Sequence, residues 1–184
     1  MKDPLYIAYH DLEWGRPVTD ERGLFERLCL EGFQSGLSWL TILRKRENFR
    51  SAFAGFDPEA VAEFGGRDLA RLLKDAGIVR HRGKIEAAIA NARGTLALRA
   101  DGPPLHELVW QHRPKRRKVP RRLANIAATT AESTALSKEL KRAGFRFVGP
   151  TTVYAAMQAC GVVNDHLAGC FVRAEVQREI DATL

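Results

Sequence analysis

Cysteine is scarce in this chain: Cys29, Cys160 and Cys170 are the only three in 184 residues. An odd number at such wide spacing excludes a disulfide framework and leaves reduced thiols or a metal ligand. Long apolar runs are missing as well. No stretch approaches the roughly 18–20 uninterrupted apolar residues that a membrane span requires, and Met1-Lys2-Asp3-Pro4 does not lead into a signal-peptide core. No membrane partner and a cytoplasmic location are therefore expected. Acidic residues are the minority charge, 22 against 29 Lys and Arg, for a formal charge of +7. A basic excess speeds approach to phosphate backbones and releases counterions when phosphates are neutralised, so it points to a polyanionic partner without excluding plain solvation. A clean period-two run of β-branched residues is absent too, which removes a β fold. Hydrophobic residues at 45% and charged residues at 28% are near the globular average, so the chain is neither disordered nor fibrous.

What is present is helical. Leu24 and Leu28, Phe25 and Cys29, Leu69, Leu72 and Leu73, then Ile85, Ala88, Ile89 and Leu96 recur at three- and four-residue steps. The predicted fold is all-α, about seven or eight short helices in two lobes. Asp20, Asp57-Pro58 and Asp68 read as helix starts, and Gly77, Gly144 and Gly161 as helix ends. One segment stands apart. Gln111 to Arg122 carries two prolines, seven Lys and Arg, and one apolar side chain, Val119, and is a solvated connecting loop or an auxiliary phosphate-contacting arm. The organisation expected is a single domain over 1–184: an N-terminal lobe to about 110, a basic linker over about 111–132 and a hairpin-bearing segment over about 133–170. Arg173 to Leu184 reads as a short terminal helix with Val176 and Ile180 on one face.

Leu136 to Cys160 reads as helix, tight glycine turn, helix. With the second helix starting at Pro150, the N–H groups of Thr151 and Thr152 are free at the positive end of the helix dipole, which suits an anion, and Lys138, Lys141, Arg142 and Arg146 lie in the same unit. An ordinary αα-hairpin with a solvated basic face is the alternative. A second glycine-centred turn, Arg80-His81-Arg82-Gly83-Lys84, is a weaker candidate for a phosphate.

The most informative residue is Glu31, set among Leu28, Leu30, Phe33 and Trp39. An unpaired carboxylate buried there costs several kcal/mol, so it is either paired, with Arg27 or Arg44, or kept for a purpose. Four of the six Tyr and Trp residues, Tyr6, Tyr9, Trp14 and Trp39, fall in the first 39 positions. Aromatic faces around one carboxylate would hold a flat cationic heterocycle by stacking and cation–π attraction, with Glu31 on its edge; an aromatic core patch is the other reading. His166 and Cys170, four apart, place an imidazole and a thiolate on one helical face, a spacing used for zinc, and His10 is a candidate third ligand. Cys29 and Cys160 read as core thiols, and His81, His106 and His112 form no constellation.

These strings together, DPLYIAYHDLEWG at 3–15, LCLEGFQSGLSWLTILRKRENFR at 28–50, DAGIVRHRGKI at 75–85, GFRFVG at 144–149 and MQACGVVNDH at 157–166, resemble the 3-methyladenine DNA glycosylase I family of the helix-hairpin-helix glycosylase superfamily. The resemblance implies hydrolysis of the N-glycosidic bond of 3-methyladenine, more weakly of 3-methylguanine, in alkylated double-stranded DNA, with free 3-methyladenine released and a monomeric enzyme. A non-catalytic, lesion-sensing DNA-binding module is the alternative. By likeness, Glu31, Tyr9 and Trp39 are the catalytic set, Tyr6 and Trp14 line the pocket, Gln34, Gly36 and Leu37 form a wedge into the duplex, and Gly149, Thr151 and Thr152 hold a lesion-strand phosphate. His10, His166 and Cys170 match three of four ligands of the family's structural zinc; its N-terminal Cys and a pocket Trp have no counterpart in Met1-Lys2-Asp3. The superfamily's catalytic Asp is expected to be missing, Asp165 belonging to the zinc-site string, so Glu31 is the only carboxylate expected in the pocket. Phe33 is expected beside that pocket, where the family commonly has Gln.

Overall fold

The computed structural model describes residues 3–115 and 118–183. Among them the chain forms ten α-helices and no strand: α1 (Pro4–Leu12), α2 (Glu21–Gln34), α3 (Trp39–Ala52), α4 (Pro58–Ala62), α5 (Gly66–Lys74), α6 (Arg82–Asp101), α7 (Leu105–Trp110), α8 (Ala131–Arg142), α9 (Pro150–Ala159) and α10 (Arg173–Ala182). The count exceeds the seven or eight read from periodicity because a helix such as α7, of six residues, is too short to repeat an apolar face.

Most helix starts follow the expected chemistry. Asp20 accepts from the Gly23 N–H at 2.7 Å, and Asp57 from Glu59 at 3.0 Å ahead of Pro58, satisfying donors that the first turn leaves free. Three expectations are corrected. Asp68 does not open α5 but sits inside its first turn and accepts the Gly65 N–H at 3.1 Å. Gly144 and Gly161 take left-handed φ of 89° and 73°, whereas Gly77 does not; its N–H is held by Asp75 Oδ1 at 2.7 Å after α5 has ended. Gly83 makes no turn either, because it lies within α6, whose start is capped by His81 accepting from Lys84 N–H at 3.3 Å.

α2 is the central strut. Every residue from Leu28 to Phe33 is buried, and the helix packs on α3, α6, α7 and α9. Phe33 belongs to this core and not to a pocket: its ring lies 4.6 Å from Phe49 and 5.7 Å from Phe53, which stacks on Phe56 at 5.6 Å. That corrects its expected place beside the site. The 143–149 turn between α8 and α9 is fastened from both sides. Asn91 of α6 accepts the Arg146 N–H at 2.7 Å and donates to the Arg146 carbonyl at 3.2 Å, and Ser137 donates to the Val148 carbonyl at 2.6 Å. Gly94 lets α6 approach, since a Cβ there would stand 2.7 Å from the Ala143 carbonyl oxygen. α10 is more than a polar tail: Val172, Val176 and Ile180 form a small second core against Cys170, and Arg16 pairs with Glu175 at 3.0 Å and with Glu179. Among the described residues no helix is long and apolar enough to cross a membrane.

Candidate active site

A cavity of about 750 Å³ opens between α1, the end of α2, the start of α3, one face of α9 and the 164–170 loop. Local structure puts the aromatic residues there. Tyr6 and Tyr9 are three apart on α1 and share a face, and α1 ends so that the Trp14 N–H returns to the Tyr9 carbonyl at 2.8 Å, turning the indole toward the same space. Trp39 is the first residue of α3, placed by Ser38, which caps that helix by accepting from the Thr41 N–H at 3.3 Å. The Tyr9 and Trp39 rings lie 5.3 Å apart, and Tyr6 meets Tyr9 edge-on at 6.4 Å. All four aromatics line the cavity with Glu31. The Trp39 indole N–H is buried without an acceptor among the described residues.

Glu31 is 6% exposed and makes no hydrogen bond or ion pair among the described residues. Neither arginine considered as its partner bonds to it, although Arg27 Nη1 is itself buried without a partner among the described residues. Arg27 pairs with Glu13 at 3.3 Å and lies over the Tyr9 ring at 5.6 Å, and Arg44 pairs with Asp3 at 2.6 Å. Glu13 is shared with Arg46, whose second nitrogen donates to it at 2.9 Å. Burial pushes the Glu31 carboxyl up to about 8, against a smaller downward pull from the nearby Arg27 charge. Glu31 is not alone, which corrects that expectation: Asp165 also lines the cavity. Its environment is the opposite one, for Oδ2 accepts from the Tyr154 hydroxyl at 2.6 Å and from Gln158 Nε2 at 2.7 Å.

His10, His166 and Cys170 come together in the same cavity wall, their ligand atoms all within 4.8 Å of one another. The Cys170 sulfur is 3.5 Å from His166 Nδ1 and 3.8 Å from His10 Nε2. The outer nitrogens are held elsewhere: His166 Nε2 faces the Trp14 carbonyl at 3.0 Å and His10 Nδ1 faces Asp11 at 2.7 Å. Each ring thereby turns its other nitrogen toward the sulfur. A tetrahedral zinc with Zn–S of about 2.3 Å and Zn–N of about 2.0–2.1 Å separates such donors by about 3.5 Å, so the two sulfur–nitrogen distances and the donor chemistry suit the ion, while the set as a whole is looser than a closed site. Trp14 stacks on His10 at 6.0 Å and meets His166 edge-on at 4.7 Å, joining the donor set to the cage.

Beyond α2 the chain makes a turn, with Gly36 at a left-handed φ of 80° and Leu37 41% exposed, while Gln34 lines the cavity. Lys84 holds this turn. It is buried, and Nζ donates to the Phe33 and Ser35 carbonyls at 2.8 and 2.5 Å, capping the α2 C-terminus from α6. The sequence places Lys84 only in the glycine-centred 80–84 turn, a candidate for a phosphate; its Nζ is committed to these carbonyls instead. At the hairpin, the first bond of α9 is donated by Val153 to the Gly149 carbonyl at 2.9 Å, so the Thr151 and Thr152 N–H groups lie ahead of the helix-internal ladder. Phe147, at a φ of 55°, meets His81 edge-on at 6.3 Å, so the N-terminus of α6 lies beside the hairpin.

Of the basic 111–122 segment, Arg116 and Arg117 lie outside the described residues. The rest is anchored at two points: Arg113 pairs with Asp181 at 3.2 Å, and the Ala168 N–H donates to the Pro120 carbonyl at 2.8 Å. Arg121, Leu123 and Ile126 then line the cavity together with Ala155, Gln158 and Leu167. None of these was foreseen, although the apolar pair Leu123 and Ile126, three apart after a polar run, was a signal that this part of the linker lies on something.

Residues 1–173 match the model of the methyladenine glycosylase family. The chain is 54% identical over 172 residues to DNA-3-methyladenine glycosylase 1 of Escherichia coli, a match that covers 92% of this chain and 91% of that protein. It is 46% identical over 169 residues to a DNA-3-methyladenine glycosylase of Haemophilus influenzae, covering 90% of this chain and 91% of that one. Among solved structures it is similar to 3-methyladenine DNA glycosylase I from Staphylococcus aureus, with a TM-score of 0.90, 38% identity and 94% and 93% of the two chains covered. It is also similar to a variant of a 3-methyladenine DNA glycosylase I in complex with 3-methyladenine, with a TM-score of 0.89, 37% identity and 94% of each chain covered.

Proposed function

Because this chain belongs to the methyladenine glycosylase family, we propose that the cage of Tyr6, Tyr9, Trp14 and Trp39 around Glu31 holds the base that it removes. The chain hydrolyses the N-glycosyl bond of 3-methyladenine in DNA, a base-excision repair reaction whose products are the free base and an abasic site. The base sits inside a stacked duplex, so the nucleotide is flipped out to reach the cavity. Gln34, Gly36 and Leu37 fill the gap left behind, and the Gly149, Thr151 and Thr152 end of α9 receives a lesion-strand phosphate.

A single observation carries the assignment of the cage: Glu31 is a buried carboxyl with no hydrogen-bond or ion-pair partner among the described residues, in an aromatic cavity, with its pKa up at about 8. Methylation at N3 leaves adenine cationic within the nucleotide. Ionising a carboxyl of pKa about 8 at pH 7 costs about 1.4 kcal/mol. Setting a cation about 4 Å away returns about 4 kcal/mol at the effective dielectric of such sites. The damaged base therefore draws the proton off Glu31 and a normal purine does not, which is discrimination by charge. The ring faces of Trp39 and Tyr9 add stacking and cation–π attraction that neutral bases receive only in part.

The same charge serves the bond-breaking step. The alkylated base leaves as a neutral molecule and requires no general acid, so the protein has to stabilise the oxocarbenium-like sugar and hold the flipped nucleotide. Ionised Glu31 supplies the negative charge. Asp165, fixed by Tyr154 and Gln158, shapes the wall. 3-Methylguanine carries the same N3 charge with an altered edge, and is a weaker substrate.

His10, His166 and Cys170 would hold a zinc ion, which when bound supplies a cross-link between α1 and the 164–170 loop. These residues set the distance between the Tyr6 and Tyr9 face of the cage and the Gln158 and Asp165 face. The test of the reading is release of free 3-methyladenine from methylated duplex. Glu31→Ala is expected to lose at least about ten-fold in excision, a change worth about 1.4 kcal/mol in the transition state; unchanged activity would remove Glu31 from the mechanism.

A further inference from the structure

Arg121 lies in the stretch that reads most plainly as solvated linker, yet it lines the cavity. It is exposed as well, as is Leu123 at 75%, and a residue that both lines a cavity and faces solvent stands at its rim. Its backbone is held on both sides. Pro120 is buried, and its carbonyl accepts the Ala168 N–H at 2.8 Å, next to the loop that carries Cys170. On the other side the Arg122 N–H donates to Asn125 Oδ1 at 3.0 Å across a single 3-10 turn, and Ile126 packs on the main core. The guanidinium at the end of this anchored segment has no carboxylate or carbonyl partner among the described residues, whereas Arg113, Arg27 and Arg46 are each committed to an acidic side chain.

A free guanidinium on the wall of a pocket that takes a cation works against contact with the base itself. Its partner has to be anionic and must reach the rim while the base is inside. A nucleotide flipped into the cavity brings its own backbone phosphate there, and the planar fork of Arg suits a phosphate oxygen pair. We propose that Arg121 binds a backbone phosphate of the lesion strand at the rim of the base pocket, so that the 120–126 segment is part of the DNA-binding surface and not a passive connector. This rests on the cavity being the base pocket.

The test uses the full-length chain, a duplex carrying a tetrahydrofuran abasic analogue, and free 3-methyladenine as a separate probe. Arg121→Gln is expected to weaken duplex binding about three- to ten-fold at low salt and to make the slope of log K against log salt shallower by about 0.9, the release expected for one lost phosphate contact. The variant should leave the NMR titration with free 3-methyladenine unchanged, and Arg121→Lys should keep most of the salt slope. An unaltered slope in Arg121→Gln would overturn the phosphate contact, and so would weaker binding of the free base, because the residue would then act on the pocket. If the unaltered protein itself binds the abasic duplex no better than undamaged duplex and releases no 3-methyladenine, the reading of the cavity fails instead.

Discussion

Replacing Glu31 by Gln keeps the shape of the side chain and removes its charge, so it isolates what the buried carboxyl does to both stability and catalysis. In the folded protein burial holds this carboxyl at about 8, against an ordinary value of about 4.5. A raised carboxyl pKa favours folding least at high pH. Below about 4.5 both states hold the proton and there is no penalty. As pH climbs to 8, the unfolded chain releases the proton while the folded one retains it, and stability is lost at about 1.4 kcal/mol per unit. Between pH 5 and 8 the wild type should lose about 3–4 kcal/mol from this group. Gln does not titrate. It leaves an amide without partners, a cost of about 1–3 kcal/mol that is the same at every pH. The signature is therefore a gap between variant and wild type that moves in favour of Glu31→Gln by about 3–4 kcal/mol from pH 5 to 8 and stops moving above that. Urea unfolding at pH 5, 7 and 9 measures it, since the other titrating groups are common to both chains and cancel. The same variant should excise 3-methyladenine at least about ten-fold more slowly. Wild-type kcat/KM should rise toward pH 8 and level off, while the variant loses that limb. A stability gap independent of pH would refute the burial argument, and an excision rate equal to wild type would refute the charge argument.

Trp39→Ala should weaken binding of free 3-methyladenine by about 1–3 kcal/mol, read from the concentration dependence of NMR shifts; an unchanged affinity would mean that the indole is packing and nothing more. Metal analysis of the purified protein should find about one zinc per chain, and Cys170→Ala should lose it together with part of the thermal stability. A metal-free protein whose Tm ignores chelator would discard the site. Lys84→Met should leave the Phe33 and Ser35 carbonyls without their donor, costing about 1–3 kcal/mol in unfolding experiments. It should also raise KM on duplex while free-base affinity holds, because the turn that faces DNA loosens and the cage does not. Equal losses in both binding assays would place the effect in the pocket.

Much of this molecule was legible without coordinates, because the features involved are local. A 3.6-residue apolar period, Asp before a helix and Gly144 before α9 act over one or two turns, so the helical class, most helix starts and the hairpin follow from neighbours in the chain. The aromatic residues and Glu31 were also visible, as a carboxylate in an apolar run is conspicuous wherever it ends up. A short helix such as α7 escaped, since one turn cannot show a period, and Phe33 was misplaced, since positions 31 and 33, two apart on α2, face nearly opposite ways.

Whether Glu31 was paired or free could be decided only in three dimensions. Arg27 lies one turn away from it, but its ion pair is with Glu13, distant in sequence, and Arg44 pairs with Asp3. The meeting of His10 with His166 and Cys170, the reach of Lys84 to the end of α2, and the folding of Arg121 back over the cavity all join segments dozens of residues apart. Sequence spacing encodes which face of a helix a residue occupies. Which other element covers that face is set by how the helices pack, and it is there that a buried charge either finds a partner or waits for a ligand.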